Sequence, residues 1–574
     1  MTKLIKIENL HYRPDSFPPE KPDILKGINL EIDAGSFVAI IGENGSGKTT
    51  LLKHLNALLL PTQGRVLVET MDTSLAENTR KLRALIGMVF QNPADQIVSS
   101  TVEEDIAFGL ENLNMPTVEI RQRVSDQLFQ AGLENEAARP PHLLSGGQIQ
   151  KLALAGVLAR QPRIILFDEP TSMLDPATRE AFLNRICELH HQGMTIIYVT
   201  HHMEEAVHAD KVVVLEKGKV ILEDSPGRIF TYEDKLREAG LEIPLVAEFS
   251  NHFRNWGWKV PERALLVDDL LASLPDYSGD KPGSDFTVHE KSREEIIAAK
   301  DIHYTYLEGT PLSQKALFGV DFTAADQSVH GLAGTNGSGK STFLQHLNGI
   351  LRPSQGTLRV GPYALEDPQT PLRDVIKKVG LVFQNPETQF FEVFVGDEIA
   401  YGAKQFEMDN LRDRVRKAMS MVGLDFDAFK DRRLETLSGG EKRKVALAST
   451  LILNQDILLF DEPTAGMDPR ARDELLSLFH QLNKEGKTII IASHRLGELA
   501  LVTQDISIMQ KGTVIKTGPS HQVFSDTEVI KEGGLLSPLT IRIANKLIEK
   551  GWPIAIKKAL TPKQLLNQIE ALSE

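Results

Sequence analysis

Sulfur chemistry is nearly absent from this chain. A single cysteine, Cys187, stands among 574 residues, which rules out an internal disulfide and any cysteine-built metal site. The lone thiol reads as a small apolar residue on a helix in a reducing compartment. Long hydrophobic runs are missing too. No stretch approaches the ~18 consecutive apolar residues that a spanning helix needs, so the chain is not expected to cross a membrane by itself. The opening MTKLIKIENL has neither a long apolar core nor a small-residue cleavage pattern, and so does not read as a signal peptide. Nor is there a basic excess. The formal net charge is −14, which argues against a surface built mainly for nucleic acid. What remains is ordinary for a globular protein, with 41% hydrophobic and 25% charged residues. The length exceeds what one hydrophobic core serves.

The chain says most things twice. GENGSGKT at residues 42–49 returns as GTNGSGKS at 334–341, with Lys48 and Lys340 292 residues apart. VFQNP at 89–93 and 382–386, LSGG at 144–147 and 437–440, LFDEPT at 166–171 and 459–464, and His201 and His494 all repeat 293 residues apart. Chance does not hold five motifs in one order at offsets of 292 or 293, so a whole domain is duplicated. Apolar runs such as IILFD, TIIYVT and TIIIAS read as buried strands, and GGQIQKLALAGVLAR reads as a helix. Strands alternating with helices predict α/β domains around a largely parallel sheet.

Each motif has a chemical reading. GxxxxGK[ST] lets backbone N–H groups wrap a phosphate at a helix N-terminus, with the lysine on the outer phosphates. That assigns Gly42, Glu43, Asn44, Gly45, Ser46, Gly47, Lys48, Thr49 and Thr50 to ATP in the first copy. Gly334, Thr335, Asn336, Gly337, Ser338, Gly339, Lys340, Ser341 and Thr342 serve in the second. Thr49 and Ser341 supply hydroxyls for Mg²⁺, and Asp168 and Asp461 hold it from the ends of apolar strands. Glu169 and Glu462 are placed to polarise the attacking water. Gln91 and Gln384 contact Mg²⁺ or that water, and His201 and His494 hydrogen-bond the γ-phosphate. His202 is adjacent, so the first histidine has two possible registers. Ser145 and Ser438 cap a helix whose glycines, Gly146, Gly147, Gly439 and Gly440, admit a phosphate closely. With one side of the nucleotide taken by the phosphate loop, this second helix must come from elsewhere. That predicts ATP sandwiched between two domains.

In this order the motifs resemble the ATP-binding cassette family over nearly the whole chain, twice. The resemblance implies two P-loop ABC nucleotide-binding domains in tandem, each with a helical signature subdomain and a small C-terminal helical tail. It implies ATP between Gly42–Thr49 and Ser438–Gly440, and again between Gly334–Ser341 and Ser145–Gly147, in an intramolecular dimer. Asp175 and Asp468 match the family's loop joining the two sites, and Tyr306 matches its adenine-stacking aromatic. The first copy departs with Pro14 at that place, where Tyr12 or Phe17 could substitute. The second signature departs with Glu441 in place of glutamine.

QNPADQ, QNPETQ, DIAFGLENL and DEIAYGAKQF are similar to ATPases of energy-coupling-factor and cobalt-type importers. That finer resemblance implies partners: a membrane coupling subunit, whose arginines Asp95 and Glu387 would accept, and a membrane substrate-binding subunit. It implies uptake of a vitamin or metal ion, no nucleic-acid partner, and a peripheral place on the cytoplasmic face of the membrane. The expected domains are 1–229 and 296–522 for the ATPases, 230–295 for a helical tail and acidic linker, and 523–574 for the final helical tail. Two rival readings are a ribosome-acting double cassette and a fused sugar-importer ATPase. An acidic linker interrupted by DYSGDKPGSD disfavours the first, and the intact GTNGSGKS loop weighs against the second.

Overall fold

The computed structural model describes residues 3–14, 22–172, 174, 176–277, 294–310, 313–465, 467 and 469–573. Phe17, Asp175, Asp468 and the DYSGDKPGSD linker from Ser278 onward lie outside the described residues. The chain divides into two compact units, the first ending at Leu274 and the second running from Pro275.

The first unit contains two sheets. One is antiparallel, in the order β2 (Leu25–Asp33), β1 (Lys3–Tyr12), β4 (Gln63–Val68), β5 (Met71–Asp72). The other is in the order β10 (Lys219–Asp224), β9 (Lys211–Glu216), β3 (Phe37–Ile41), β8 (Thr195–Thr200), β7 (Ile164–Asp168), β6 (Ile86–Val89). All its pairs are parallel except the edge pair of β9 with β10. The central strands are buried on both faces, and period-two alternation sorts their residues. Phe37, Ala39 and Ile41 face one core with Phe182, Ile186 and Leu189 of the helix Pro176–His191. Val38 and Ile40 face another, with Leu51 and Leu52 of the helix Lys48–Leu55 and the apolar side of the antiparallel sheet. A third core gathers the helices Val102–Glu111, Thr117–Ala131 and Gly146–Ala159.

The second unit repeats this plan. Its antiparallel sheet runs β12 (Gln314–Ala325), β11 (Glu295–Tyr306), β14 (Gln355–Val360), β15 (Tyr363–Ala364). Its mixed sheet runs β16 (Val379–Val382), β17 (Ile457–Asp461), β18 (Thr488–Ser493), β13 (Val329–Ala333), β19 (Asp505–Gln510), β20 (Thr513–Pro519). The tandem α/β expectation thus holds. The residues read as tails pack into the cores of their own units: Leu236, Leu241 and Ala247 join the first sheet's core, and Phe524, Ile530 and Ile541 join the second's. The stretch 275–277 is fixed to the end of the second unit, with Trp552 Nε1 donating to Pro275 O at 2.9 Å.

Candidate active site

Each phosphate loop sits where β3 or β13 gives way to a helix, and its glycines are required for two different reasons. Gly45 (φ 81°) and Gly47 (φ 104°) occupy left-handed backbone that side chains resist. Gly42 would place a Cβ 2.2 Å from Leu215 O, and Gly334 one 2.4 Å from Met509 O. Lys48 Nζ donates to Gly42 O at 2.8 Å and Glu43 O at 3.2 Å. Lys340 Nζ donates to Gly334 O at 2.8 Å and Thr335 O at 3.0 Å. Among the described residues the buried hydroxyls of Ser46 and Ser338 have no hydrogen-bond partner, which suits them to an anion. Glu43, Asn44, Asn336 and Gly337 are exposed on the rim. Thr50 contributes its carbonyl to His54 Nδ1 at 2.7 Å, as Thr342 does to His346.

The carboxylates converge on these loops from the ends of β7 and β17. Thr49 Oγ1 donates to Asp168 Oδ1 at 2.9 Å, and Ser341 bonds to Asp461. Glu169 and Glu462 both take φ 46°, a conformation rare for a residue with a side chain. Glu169 Oε2 meets His201 Nδ1 at 2.9 Å and accepts from Gln91 Nε2 at 3.2 Å, while Oε1 faces Lys48 at 3.8 Å. Glu462 Oε1 meets His494 Nδ1 at 2.9 Å and Lys340 at 3.5 Å. The ring bonded to the carboxylate is therefore His201.

The electrostatics separate the two acids in each unit. Burial pushes the Asp168 and Asp461 carboxyls up, with the adjacent glutamate adding to the rise. Burial pushes Glu169 and Glu462 the same way, but their histidine hydrogen bonds and the histidine and lysine charges together outweigh it and hold both below the usual range. An acid kept anionic is an acceptor only, so the histidine Nδ1 carries the proton between them. Burial lowers the Lys48 ammonium.

The signature serines cap their helices as the sequence predicts. Ser145 Oγ accepts from Gln148 N at 3.4 Å while Gln148 Oε1 accepts from Ser145 N at 3.0 Å, a reciprocal capping box. Ser438 and Glu441 form the same box, with Ser438 N donating to Glu441 Oε2 at 2.7 Å. Both serines are exposed. A Cβ on Gly146, Gly439 or Gly440 would meet nothing within 4 Å, whereas one on Gly147 would press Thr178 at 2.9 Å. Their own units therefore do not require three of the four glycines.

Comparison with known proteins agrees with this geometry. The ABC transporter family matches residues 25–172 and again 317–465. A protein of Caldanaerobacter subterraneus subsp. tengcongensis, provisionally named as an ABC transporter ATP-binding protein, is 32% identical over 538 residues, 91% of this chain and 93% of its own. Another with that provisional name, from Methanosarcina acetivorans, is 32% identical over 594 residues, 99% of this chain and 94% of its own. The chain belongs to the ATP-binding cassette family. It is an ATPase with two cassettes in tandem. The energy-coupling factor transporter ATP-binding protein EcfA1 of C. subterraneus subsp. tengcongensis is 44% identical over 272 residues, 47% of this chain and 98% of its own.

The residues expected to meet a nucleotide base were less legible. In the second, a cavity of about 770 Å³ is lined by the phosphate loop, Gln384, Glu462, Tyr306, Phe318, Lys315 and Lys511. Tyr306 Oη lies 3.1 Å from Thr342 Oγ1. Phe318 and its Lys315 cap, 4.9 Å above the ring, escaped the sequence reading. In the first cassette Tyr12 does not replace Tyr306. It pairs with Leu25 as Tyr304 pairs with Leu317, and both tyrosines stand edge-on, 4.8 Å from His54 and His346. Two further missed residues brace the signature helices. Gln96 Nε2 donates to Ala153 O at 3.3 Å, and Gln389 Nε2 to Ala446 O at 3.2 Å. The repeated Gln in QNPxxQ was the available signal.

Proposed function

We propose that this ATPase is the energising subunit of an energy-coupling-factor-type importer, working at the cytoplasmic face through a membrane coupling subunit and a membrane substrate-binding subunit. The supporting observation is the 44% identity to EcfA1 across 98% of that protein, beside a chain that holds two such cassettes. No helix among the described residues is long and apolar enough to cross a membrane, so the vitamin or metal ion has to pass through other polypeptides.

In this reading the phosphate loops bind the triphosphate, with Lys48 and Lys340 turning from backbone carbonyls toward its outer oxygens. The signature helices, where Gly146, Gly439 and Gly440 are unobstructed in their own units, would complete its ligands as the family resemblance implies. Glu169 and Glu462 accept the proton of the attacking water, and His201 and His494 fix the orientation of those carboxylates. Gln91, already on Glu169, places the same water. The residues suit Mg²⁺: Asp461 Oδ1 is buried with no hydrogen-bond partner among the described residues, and each Asp lies beside a hydroxyl. Thr49 and Asp168 would hold the ion in one cassette and Ser341 and Asp461 in the other, with Gln91 and Gln384 nearby. Bound there, Mg²⁺ offsets charge on the β- and γ-phosphate oxygens.

A mild-detergent pull-down of the tagged full chain from its own host, read by mass spectrometry, tests the proposal. Co-purifying multi-span membrane proteins support it, and ribosomal proteins without a membrane partner overturn it. The coupling contact has its own test. Among the described residues the Asp95 side chain accepts only from Asn92, at 2.9 Å, whereas Glu387 is held by Lys442 at 2.5 Å. Asp95→Lys should therefore uncouple transport more than Glu387→Lys, with nucleotide binding intact in both. Normal transport after both reversals removes these two residues from the contact.

A further inference from the structure

The turns that carry the hydrolytic groups are joined by a carboxylate that neither motif includes. Glu205, in the helix Met203–Ala206, is 1% exposed. Its Oε1 accepts from Thr171 Oγ1 at 2.5 Å and faces Arg179 Nε at 3.7 Å. Its Oε2 accepts from Tyr198 Oη at 2.9 Å and Thr200 Oγ1 at 2.5 Å. A carboxylate only accepts, so all three hydroxyl protons point at it and their rotors are fixed. Thr171 follows Glu169 by two residues, and Thr200 immediately precedes His201. Thr200 Oγ1 also accepts from His202 N at 2.9 Å, closing a turn around His201. One buried group thus grips the chain on both sides of the Glu169–His201 hydrogen bond.

The second cassette makes the same connection with different chemistry. Glu498, in the helix Leu496–Val502, accepts from Thr464, two residues beyond Glu462. It also accepts from Arg495 Nη1 at 3.0 Å, and Arg495 N donates to Ser493 Oγ at 3.0 Å to close the turn around His494. Ile491 stands where the first cassette has Tyr198. Burying a carboxylate is costly unless its acceptor sites are filled. The first cassette buries its carboxylate fully and the second only in part, and beyond the shared threonine they fill it from different partners. What they share is the link between the two turns.

We infer that Glu205 and Glu498 are positioning residues that set the Glu169–His201 and Glu462–His494 pairs for hydrolysis. This rests on reading Glu169 and Glu462 as the acceptors of the water's proton. In a Glu205→Gln, Glu498→Gln double variant of the full chain, each amide keeps the volume but presents a donor to groups that also donate. ATP turnover at saturation should fall about 10- to 100-fold, the scale of a small misplacement of reacting groups. KM and the Kd for a fluorescent ATP analogue should stay within about two-fold, since ground-state binding is untouched. Unchanged turnover overturns the inference. So does a loss of turnover matched by lost nucleotide affinity or early melting, because the carboxylate is then only structural. If the double variant does not fold, Thr171→Val with Thr464→Val asks the same question: lower turnover at unchanged Kd supports the inference, and unchanged turnover overturns it. A Glu169→Gln, Glu462→Gln variant measured alongside separates the two readings. If it still turns over normally, the hydrolytic assignment fails. If it is dead while the Glu205 and Glu498 variant is normal, only the present inference fails.

Discussion

In the first cassette the strand ends beside the phosphate loop carry an ion pair, Arg13 Nε to Asp23 at 2.9 Å. In the second, Lys315 stands in the place of Asp23, Phe318 in that of Lys26, and Tyr306 in that of Pro14. A few residues away the two are alike. Each lysine of the phosphate loop donates to the first glycine's carbonyl at 2.8 Å, and each histidine meets its glutamate at 2.9 Å. Under the proposed function, the contrast separates what hydrolysis fixes from what binding tolerates. Phosphates are held by backbone N–H groups and by charges that work only at short range, so their geometry has little freedom. A base has two broad faces and accepts several kinds of cover.

The strongest way to break this comparison is to remove the hydrolytic carboxylates one at a time. If the phosphate ends are equivalent, Glu169→Gln and Glu462→Gln should each cut phosphate release by at least ~100-fold, the usual scale for a positioned general base. Unequal losses from the two single variants would show that the two ends differ in use despite matching in shape. The base end predicts the opposite, an unequal pair. Tyr306→Ala should weaken nucleotide binding at the second site by about 5- to 150-fold, from ~1–3 kcal/mol of stacking. Pro14→Ala at the first should change little. A two-site titration with a fluorescent ATP analogue reads both, and equal losses would merge the two ends into one kind of site.

The phosphate loops, the Asp-Glu pairs, the histidines and the capped signatures were legible because each depends on contiguous residues repeated 292 or 293 positions on. Tyr12 misled although the 292-residue offset of the phosphate loops already aligns it with Tyr304, as the strand register confirms. Glu205 and Glu498 also lie 293 residues apart, and that signal was present. Their meaning was not, since it comes from hydroxyls on separate turns and strands that only the fold gathers. The helical tails read as appendages because amphipathic helices reveal an apolar face and not what it covers.

A core difference between the cassettes gives a smaller, pH-dependent effect. His330 in β13 is fully buried, with Nε2 2.9 Å from Ser507 Oγ, where the first cassette has Val38 and Val213. Burial lowers its pKa from 6.5 to about 3. Above pH 6.5 the ring is neutral folded or unfolded, and the stability is complete. Below it the unfolded chain takes up a proton that the folded core refuses until about pH 3. The second cassette should therefore lose about 1.4 kcal/mol by pH 5.5 and more below that. His330→Val should abolish the loss in calorimetric scans across this range, and an equal pH slope in the variant would place its origin elsewhere.

The smallest expected effect concerns the signatures, where the cassettes use opposite chemistry for one task. Gln148 closes its capping box and passes its amide on to Glu136 at 3.4 Å. Glu441 closes the same box and receives Arg432 Nη1 at 3.1 Å. The box needs an acceptor at the third helical position, and either side chain supplies one. Glu441→Gln should therefore cost no more than ~0.5–1 kcal/mol, the worth of a partly exposed ion pair. Glu441→Ala, which opens the box, should cost about 1 kcal/mol and fray the helix start. If Glu441→Gln instead lowers turnover several-fold at unchanged melting temperature, the charge of Glu441 acts on the nucleotide. The departure from the family's glutamine would then mark a functional difference between the two signatures, where the geometry gives only an exchange of partners.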